Sequence, residues 1–155
     1  MFKTITLKPT KEKSILRRHP WVFSGAIKAI ENGISNGDIV EIKSNKGRFL
    51  GYGHYNEGSI AIRIFELNQL TIDNAYWEGK IKKAISQRHH NLDINGKNNI
   101  YRLVHAEGDE MPGCIIDRYD NVIVMQFHSV GMWKLREIFS KTIAKQLPEI
   151  DVILI

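Results

Sequence analysis

A short run of basic side chains followed by aromatic ones is the segment with the clearest chemistry. It covers residues 17–23 and reads Arg-Arg-His-Pro-Trp-Val-Phe. Cationic groups hold phosphates, and an exposed aromatic ring can stack on an unpaired base, so the segment favours RNA binding. The alternative is that Trp21 and Phe23 fill the core of a small β-barrel. We expect at least one of these two rings to be buried there.

The charge of the chain is concentrated in the same region. The 155 residues carry a formal net charge of +5, and residues 1–20 hold six basic side chains against Glu12 alone, so the remainder is balanced. A local excess favours a polyanionic partner, because neutralised phosphates release counterions. A solvated basic turn would have the same composition. The predicted RNA-binding residues are Lys11, Lys13, Arg17, Arg18, His19 and Trp21.

A second polar group lies in the loop and strand after residue 106. Facing carboxylates there could perform general acid–base chemistry, but such residues more often shape turns and cap strands, which is the interpretation favoured here. We therefore predict no catalytic residue. The loop remains a candidate substrate-side surface, comprising Glu107, Asp109, Asp117 and Arg118, with Glu110 beside them.

Other motifs are excluded by spacing. Gly51-Tyr52-Gly53 lacks the third glycine and following helix of a dinucleotide loop, so its glycines are predicted to permit a bend or a close backbone approach. The six histidines show no metal-ligand spacing, and neither a metal nor a cofactor site is predicted. The single Cys114 is predicted to be a buried, inert thiol, typical of a reducing cytoplasmic location. The chain has no apolar run of the roughly 18 residues that a membrane span needs.

Hydrophobic periodicity predicts two domains with a boundary near residue 72. Residues 1–70 are predicted to form a compact β-barrel of short strands, with a short helix before Pro20. Period-2 alternation predicts strands with one buried face, carried by Val40 and Ile42 in one strand and by Ala61, Arg63 and Phe65 in the last. The predicted strands are 2–7, 26–31, 39–43, 48–55 and 60–66.

Residues 74–155 are predicted to form a small α+β domain with a mixed sheet and two helices. The first helix begins after Asp73, a plausible N-cap, and continues to about Asn91. A polar loop follows from Asn91 to Asn99. The predicted strands are 100–106, 114–119, 122–128 and 152–155, and a second helix covers 132–147.

Three segments carry a family resemblance. Residues 17–27 resemble the N-terminal PUA-type RNA-binding domain of the large-subunit ribosomal RNA cytosine-5 methyltransferases (the RlmI-like group). Residues 51–64 resemble a later strand pair of that domain, and residues 102–119 resemble the strand-loop-strand of the small middle domain that follows. The sequence departs from the family at Glu57-Gly58, where proline often follows the asparagine, and at Cys114, where an aliphatic residue is usual.

The resemblance implies a fold and a function. It implies an all-β PUA-like barrel that binds RNA, a ribosomal RNA partner, and a further Rossmann-like domain that binds S-adenosylmethionine and supplies a catalytic cysteine. The chain has no glycine-rich cofactor loop, and Cys114 does not match that cysteine's motif, so we expect no methyl transfer by this chain alone. Two interpretations remain, namely the RNA-recognition portion of such a methyltransferase and a free-standing PUA-like adaptor for RNA or protein. The oligomeric state, including a homodimer, stays open.

Overall fold

The computed structural model describes residues 2–91 and 99–155. The chain divides into two compact units, each with its own sheet. Unit 1 comprises Met1–Leu70 with Ser129–Gly131, and unit 2 comprises Thr71–His128 with Met132–Ile155. Most of the polar loop expected from Asn91 to Asn99 lies outside the described residues.

Unit 1 is built on a curled, mixed sheet of six strands in the order β2-β6-β5-β4-β1-β3. Strand β1 runs parallel to β4, and every other neighbouring pair is antiparallel. The two edge strands, β2 and β3, are joined by the three-residue 3-10 turn Ser24–Ala26, so the sheet must curl until its edges approach each other at this turn. The elements are β1 (Lys3–Leu7), α1 (Lys13–Leu16), β2 (Trp21–Phe23), β3 (Ile27–Ile30), β4 (Ile39–Lys43), β5 (Phe49–Tyr55) and β6 (Ile60–Glu66).

The buried face of β6 differs from the prediction. Ile62 and Ile64 enter the core of unit 1, next to Val22 of β2. Ala61 and Phe65 are buried on the opposite face, while Arg63 between them is only half-buried. The simple alternation fails because both faces of this strand are covered over part of their length.

The two glycines of β5 are required by close backbone approach, as predicted. A Cβ atom at Gly53 would lie 2.4 Å from Cγ2 of Ile62 and 2.8 Å from the carbonyl oxygen of Arg63. Gly51 adopts a φ of 153°, and a Cβ atom there would lie 2.6 Å from the carbonyl oxygen of Glu66. A side chain at either position would push β5 away from β6.

Unit 2 is a four-stranded mixed sheet, in the order β10-β9-β8-β7, with helices of its own. The prediction of Asp73 as N-cap is confirmed, since its Oδ1 accepts the backbone N–H of Tyr76 at 2.9 Å. The second predicted helix is divided into two at Leu135, whose N–H donates to the carbonyl of Met132 in a tighter, 3-10-type bond. The elements are α2 (Asn74–Asn91), β7 (Ile100–His105), β8 (Cys114–Tyr119), β9 (Val122–Phe127), α3 (Val130–Lys134), α4 (Arg136–Gln146) and β10 (Val152–Leu154). The first two residues of α3, Val130 and Gly131, belong to unit 1.

Candidate nucleic-acid interface

The short helix α1 ends in a Schellman motif that fixes the two arginines. The N–H of Arg18 donates to the carbonyl of Ile15 at 2.8 Å, and the N–H of His19 donates to the carbonyl of Ser14 at 3.0 Å. Arg18 adopts the left-handed conformation, with a φ of 61°, at the position where helix ends favour glycine. Ile15 is buried and anchors the turn in the core. The backbone beneath the arginines is therefore held in one conformation.

The basic side chains of residues 1–20 fall into two groups. Lys3 donates to the carbonyl of Gly33 at 2.5 Å, and Lys8 donates to the carbonyl of Gly25 at 2.9 Å, so both stabilise the fold. The other four side chains are exposed and make no ion pair or hydrogen bond with any residue that the structure describes. We call these four residues the basic segment; they are Lys11, Lys13, Arg17 and Arg18.

Aromatic rings continue the surface beyond the basic segment. The imidazole of His19 contacts two rings, with centroid distances of 5.9 Å to Trp21 and 6.3 Å to Phe23. Its Nδ1 accepts the backbone N–H of Trp21 at 3.2 Å. The expectation that Trp21 or Phe23 enters the core is wrong, because Val22 is the buried residue of β2, whereas Trp21 is half-buried and Phe23 is 49% exposed. Alternation along β2 places both rings on the outer face.

Sequence reasoning missed one residue of this face. Arg63 of β6 lies directly opposite Trp21. The neighbouring pair is Pro20 and Ile64, and the N–H of Ile64 donates to the carbonyl of Pro20 at 2.8 Å. Trp21 and Arg63 are therefore a non-hydrogen-bonded pair, the type in which the two side chains lie closer together. Arg63 is half-buried and makes no ion pair or side-chain hydrogen bond within the described part of the chain. The period-2 prediction had placed Arg63 in the strand, but only the pairing register brings it to Trp21.

The carboxylates of the candidate substrate-side loop are engaged in contacts within unit 2. Oδ2 of Asp109 accepts from Nη2 of Arg88 and from the backbone N–H of His105, both at 2.5 Å. Asp117 pairs with Arg102 across β7 and β8 through two contacts, at 2.9 and 3.2 Å. These contacts agree with the interpretation that the carboxylates shape turns and hold strands.

The neighbouring residues follow the same pattern. A hydrogen bond from Lys80, at 2.6 Å, is the main reason that the pKa of the Glu110 carboxyl is lowered. Glu107 lies in the 3-10 turn Ala106–Asp109. Arg118 is 3% exposed, and it donates to the carbonyl of Asp120 at 2.8 Å and to Glu149 at 3.0 Å. Arg118 therefore ties the end of β8 to the rest of unit 2.

Cys114 is fully buried in β8, as predicted. Burial raises the pKa of its thiol to about 12, and the negative charge of Asp109 adds to the effect. A thiol in this state is a poor nucleophile. Within residues 2–91 and 99–155, no group of three or more potential ligands could hold a metal ion. No helix in this part of the chain is long and apolar enough to cross a membrane.

Comparison with known proteins defines the class of unit 1. Residues 5–67 match the PUA-like domain family. This range begins within β1 and ends just after β6, so it contains the six-stranded sheet except for the first two residues of β1, together with the basic segment, Trp21 and Arg63. Unit 1 is therefore a PUA-like domain.

The similarity to curated proteins extends over almost the entire chain. The chain is 39% identical to the ribosomal RNA large subunit methyltransferase I of Pseudoalteromonas atlantica over 96% of its own length and 38% of that protein. It is 34% identical to the protein of the same name from Alteromonas mediterranea, over 98% of this chain and 38% of the relative. These similarities confirm the resemblance described above, and the chain spans less than two fifths of the length of these relatives.

Solved structures support the fold at lower identity. A provisionally assigned SAM-dependent methyltransferase from Streptococcus mutans superimposes with a TM-score of 0.79 at 16% identity, covering 97% of this chain and 39% of that protein. A provisionally assigned methyltransferase in complex with SAH gives a TM-score of 0.81 at 16% identity, covering 99% of this chain and 40% of that protein. At this identity the likeness concerns the fold alone.

Proposed function

We propose that this chain is the RNA-recognition portion of an S-adenosylmethionine-dependent ribosomal RNA cytosine-5 methyltransferase, and that unit 1 makes the contact with RNA. The observation that carries the proposal is the basic segment. Four exposed cations without a partner among the described residues lie on a PUA-like domain and lead into a half-buried Trp21 and an exposed Phe23. The name of the relatives, ribosomal RNA large subunit methyltransferase, supports ribosomal RNA as the polyanion that the basic segment binds.

Each part of this surface has a physical role in the proposal. The basic segment attracts and neutralises phosphates, which supplies affinity for any RNA sequence. His19, Trp21 and Phe23 offer ring faces on which unpaired bases can stack. The Schellman motif holds Arg17 and Arg18 in one backbone conformation, so little further ordering of the backbone is needed on binding. The finer picture, a PUA barrel that closes at the Ser24–Ala26 turn, belongs to the same proposal and is supported by the joining of the two edge strands there.

Methyl transfer is assigned to the longer protein of which this chain resembles a part. The glycine pair of β5 does not fit S-adenosylmethionine, because the space beside Gly51 and Gly53 is filled by backbone and side-chain atoms of β6. We expect calorimetry of the isolated chain to show no micromolar binding of S-adenosylmethionine, and micromolar affinity would contradict this assignment. The proposed location is the cytoplasm, where ribosomal RNA is available to a protein of this kind.

A protein-binding adaptor is the second candidate, and one observation in unit 2 favours it. Trp133 is 46% exposed, and the guanidinium of Arg136 lies 4.6 Å from the centre of its ring. Exposed tryptophan and arginine side chains are enriched at the energetic centres of protein interfaces. In the adaptor interpretation this surface would bind a protein, and the basic segment would have no role.

RNA binding by the isolated chain distinguishes the two candidates. We would measure fluorescence anisotropy with a labelled single-stranded RNA of about 10 nucleotides, within the usual site size, and with the duplex of the same sequence. The proposal predicts binding to both that weakens steeply with salt, and tighter binding to the single strand, because only splayed bases can stack. Equal and salt-independent binding, or none, would favour the adaptor.

A further inference from the structure

Arg63 is a half-buried cation whose side chain has no partner within the part of the chain that the structure describes. Charged groups that leave water are usually paired, because an unpaired buried charge is costly. A guanidinium also presents five N–H donors in a fixed plane, a geometry that matches a phosphate or a carboxylate. Glu66, the carboxylate on the same strand, accepts from the backbone N–H groups of Leu67 and Asn68. Arg63 is therefore available to an external anion.

The strands on either side of Arg63 limit the direction from which that anion can approach. On β5 its register partner is His54, which is 1% exposed. Gly131 packs against the imidazole of His54 so closely that a Cβ atom at Gly131 would lie 2.2 Å from Cγ of the ring. On β2 the register partner is Trp21, with the exposed Phe23 beyond it. The open flank of Arg63 is thus the one that carries the aromatic rings.

We infer that Arg63 and Trp21 together bind a single unpaired nucleotide, with its phosphate on the guanidinium and its base against the indole ring. In a close cross-strand pair the two Cβ atoms lie about 5 Å apart, so the two side chains can reach neighbouring groups of one nucleotide. The phosphate contact is bidentate, as the planar fork of arginine allows. This inference rests on the proposed function and deepens it, because it divides the surface into two parts with different substrate requirements.

The two parts respond differently to the form of the RNA. The basic segment consists of exposed cations that contact phosphates in any RNA, single-stranded or duplex. The Arg63–Trp21 pair requires a base that has left its stack, which a regular duplex does not provide. Preference for single-stranded RNA should therefore depend on Arg63, whereas overall affinity should depend on the basic segment.

The test compares Arg63→Gln and Arg63→Lys with the control Arg48→Gln. Arg48 is an exposed arginine of the same unit, on the turn between β4 and β5, so its replacement removes the same charge away from β2 and β6. Anisotropy with the single-stranded probe and its duplex, at several salt concentrations, gives affinities and salt slopes. We expect Arg63→Gln to weaken single-strand binding by about tenfold, to leave duplex binding within about twofold, and to flatten the single-strand slope by about 0.7, the value for one phosphate. Arg63→Lys should keep the slope but recover only part of the affinity, since an ammonium lacks the fork.

Two results would overturn the inference. The first is an effect of Arg63→Gln no larger than that of Arg48→Gln, and the second is an equal reduction in affinity for single strand and duplex, which would make Arg63 one more non-specific cation. Circular dichroism shows whether Arg63→Gln folds. If it does not, the affinities of Arg63→Lys and the wild type for the single strand test the inference instead. Full single-strand affinity in the lysine variant would contradict the bidentate contact. If the wild type binds RNA and Arg63→Gln binds it equally well, this inference alone is refuted. Absence of RNA binding in the wild type refutes the proposed function as well.

Discussion

The backbone N–H of Arg18 donates to the carbonyl of Ile15 at 2.8 Å, and this bond holds an arginine in a conformation that helix ends favour for glycine. Ile15 is buried in the core of unit 1, so the bond connects the basic segment directly to the hydrophobic core of the domain. A non-glycine residue with a left-handed backbone carries a steric cost of roughly 1–2 kcal/mol. Strain of this kind collects at binding surfaces, where a particular side chain is needed.

Replacing Arg18 by glycine should therefore separate stability from RNA affinity. We expect Arg18→Gly to raise the free energy of unfolding by about 0.5–1 kcal/mol, because the relief of strain exceeds the entropic cost of glycine in the unfolded chain. RNA affinity should fall, because one phosphate is no longer neutralised by this side chain. Urea denaturation and anisotropy measure the two effects.

The matched control for this change is Arg17→Gly. Arg17 has a φ of −89°, so no strain is relieved there, and this variant should show reduced stability as well as reduced affinity. If Arg18→Gly loses as much stability as Arg17→Gly, the claim that the left-handed backbone of Arg18 is strained would be contradicted.

Alanine substitutions in β2 should distinguish its two faces. Val22 is 2% exposed in the core, so Val22→Ala should lower the free energy of unfolding by roughly 2 kcal/mol without changing affinity per folded molecule. Trp21→Ala should instead weaken RNA binding by about 1–3 kcal/mol, the usual value for one stacked base. Thermal melts and anisotropy on both variants provide the comparison, and a Trp21→Ala variant that unfolds readily but binds normally would make Trp21 a packing residue.

The Asp109 carboxylate should stabilise unit 2 rather than contact RNA. Its side chain is 7% exposed and accepts from both Arg88 and His105. Asp109→Ala should cost about 2–4 kcal/mol of stability, because it leaves a partly buried guanidinium and a backbone N–H unsatisfied. Chemical denaturation measures this cost. Normal stability together with weakened RNA binding would instead support the prediction that this loop is a substrate-side surface.

The buried thiol of Cys114 should make stability fall in alkaline solution. Burial raises its pKa from 9.0 to about 12, so above about pH 9 the thiol ionises in the unfolded chain but not in the folded one. The contribution of this group is fully present below about pH 9 and disappears as the pH rises towards 12. Iodoacetamide labelling at pH 8 should be slow in the native protein and fast in urea, and Cys114→Ala should show a smaller alkaline decrease in stability. Rapid labelling of the native protein would show that the thiol is accessible.

Much of this architecture could be predicted from local sequence patterns. The bounds predicted for β4, β6 and β8 agree with the structure, since each strand is bracketed by turn residues. The capping role of Asp73 was predicted because a cap is defined by its own side chain and the next three residues. Family resemblance supplied the PUA-like class, which neither composition nor periodicity contains.

What could not be predicted depends on pairing between distant segments. Strand β2 has only three residues, and all three are apolar, so its sequence shows no alternation of polar and apolar side chains. For this reason Trp21 was not predicted to lie in a strand. The neighbourhood of Trp21 and Arg63 follows from the β2–β6 register, which no local pattern specifies. The left-handed backbone of Arg18 was also hidden, because glycine, the usual signal, is absent there.

The central claim, that unit 1 binds RNA through the basic segment, is tested most directly by the salt dependence of binding to the single-stranded probe. The double variant Arg17→Ala plus Arg18→Ala should bind more weakly and should show a slope flatter by about 0.7 for each phosphate that is no longer neutralised. The control Lys46→Ala plus Arg48→Ala removes two exposed cations from the turn between β4 and β5 and should retain the wild-type slope. Identical slopes for the wild type and both double variants would contradict the claim, since the basic segment would then be a solvated turn.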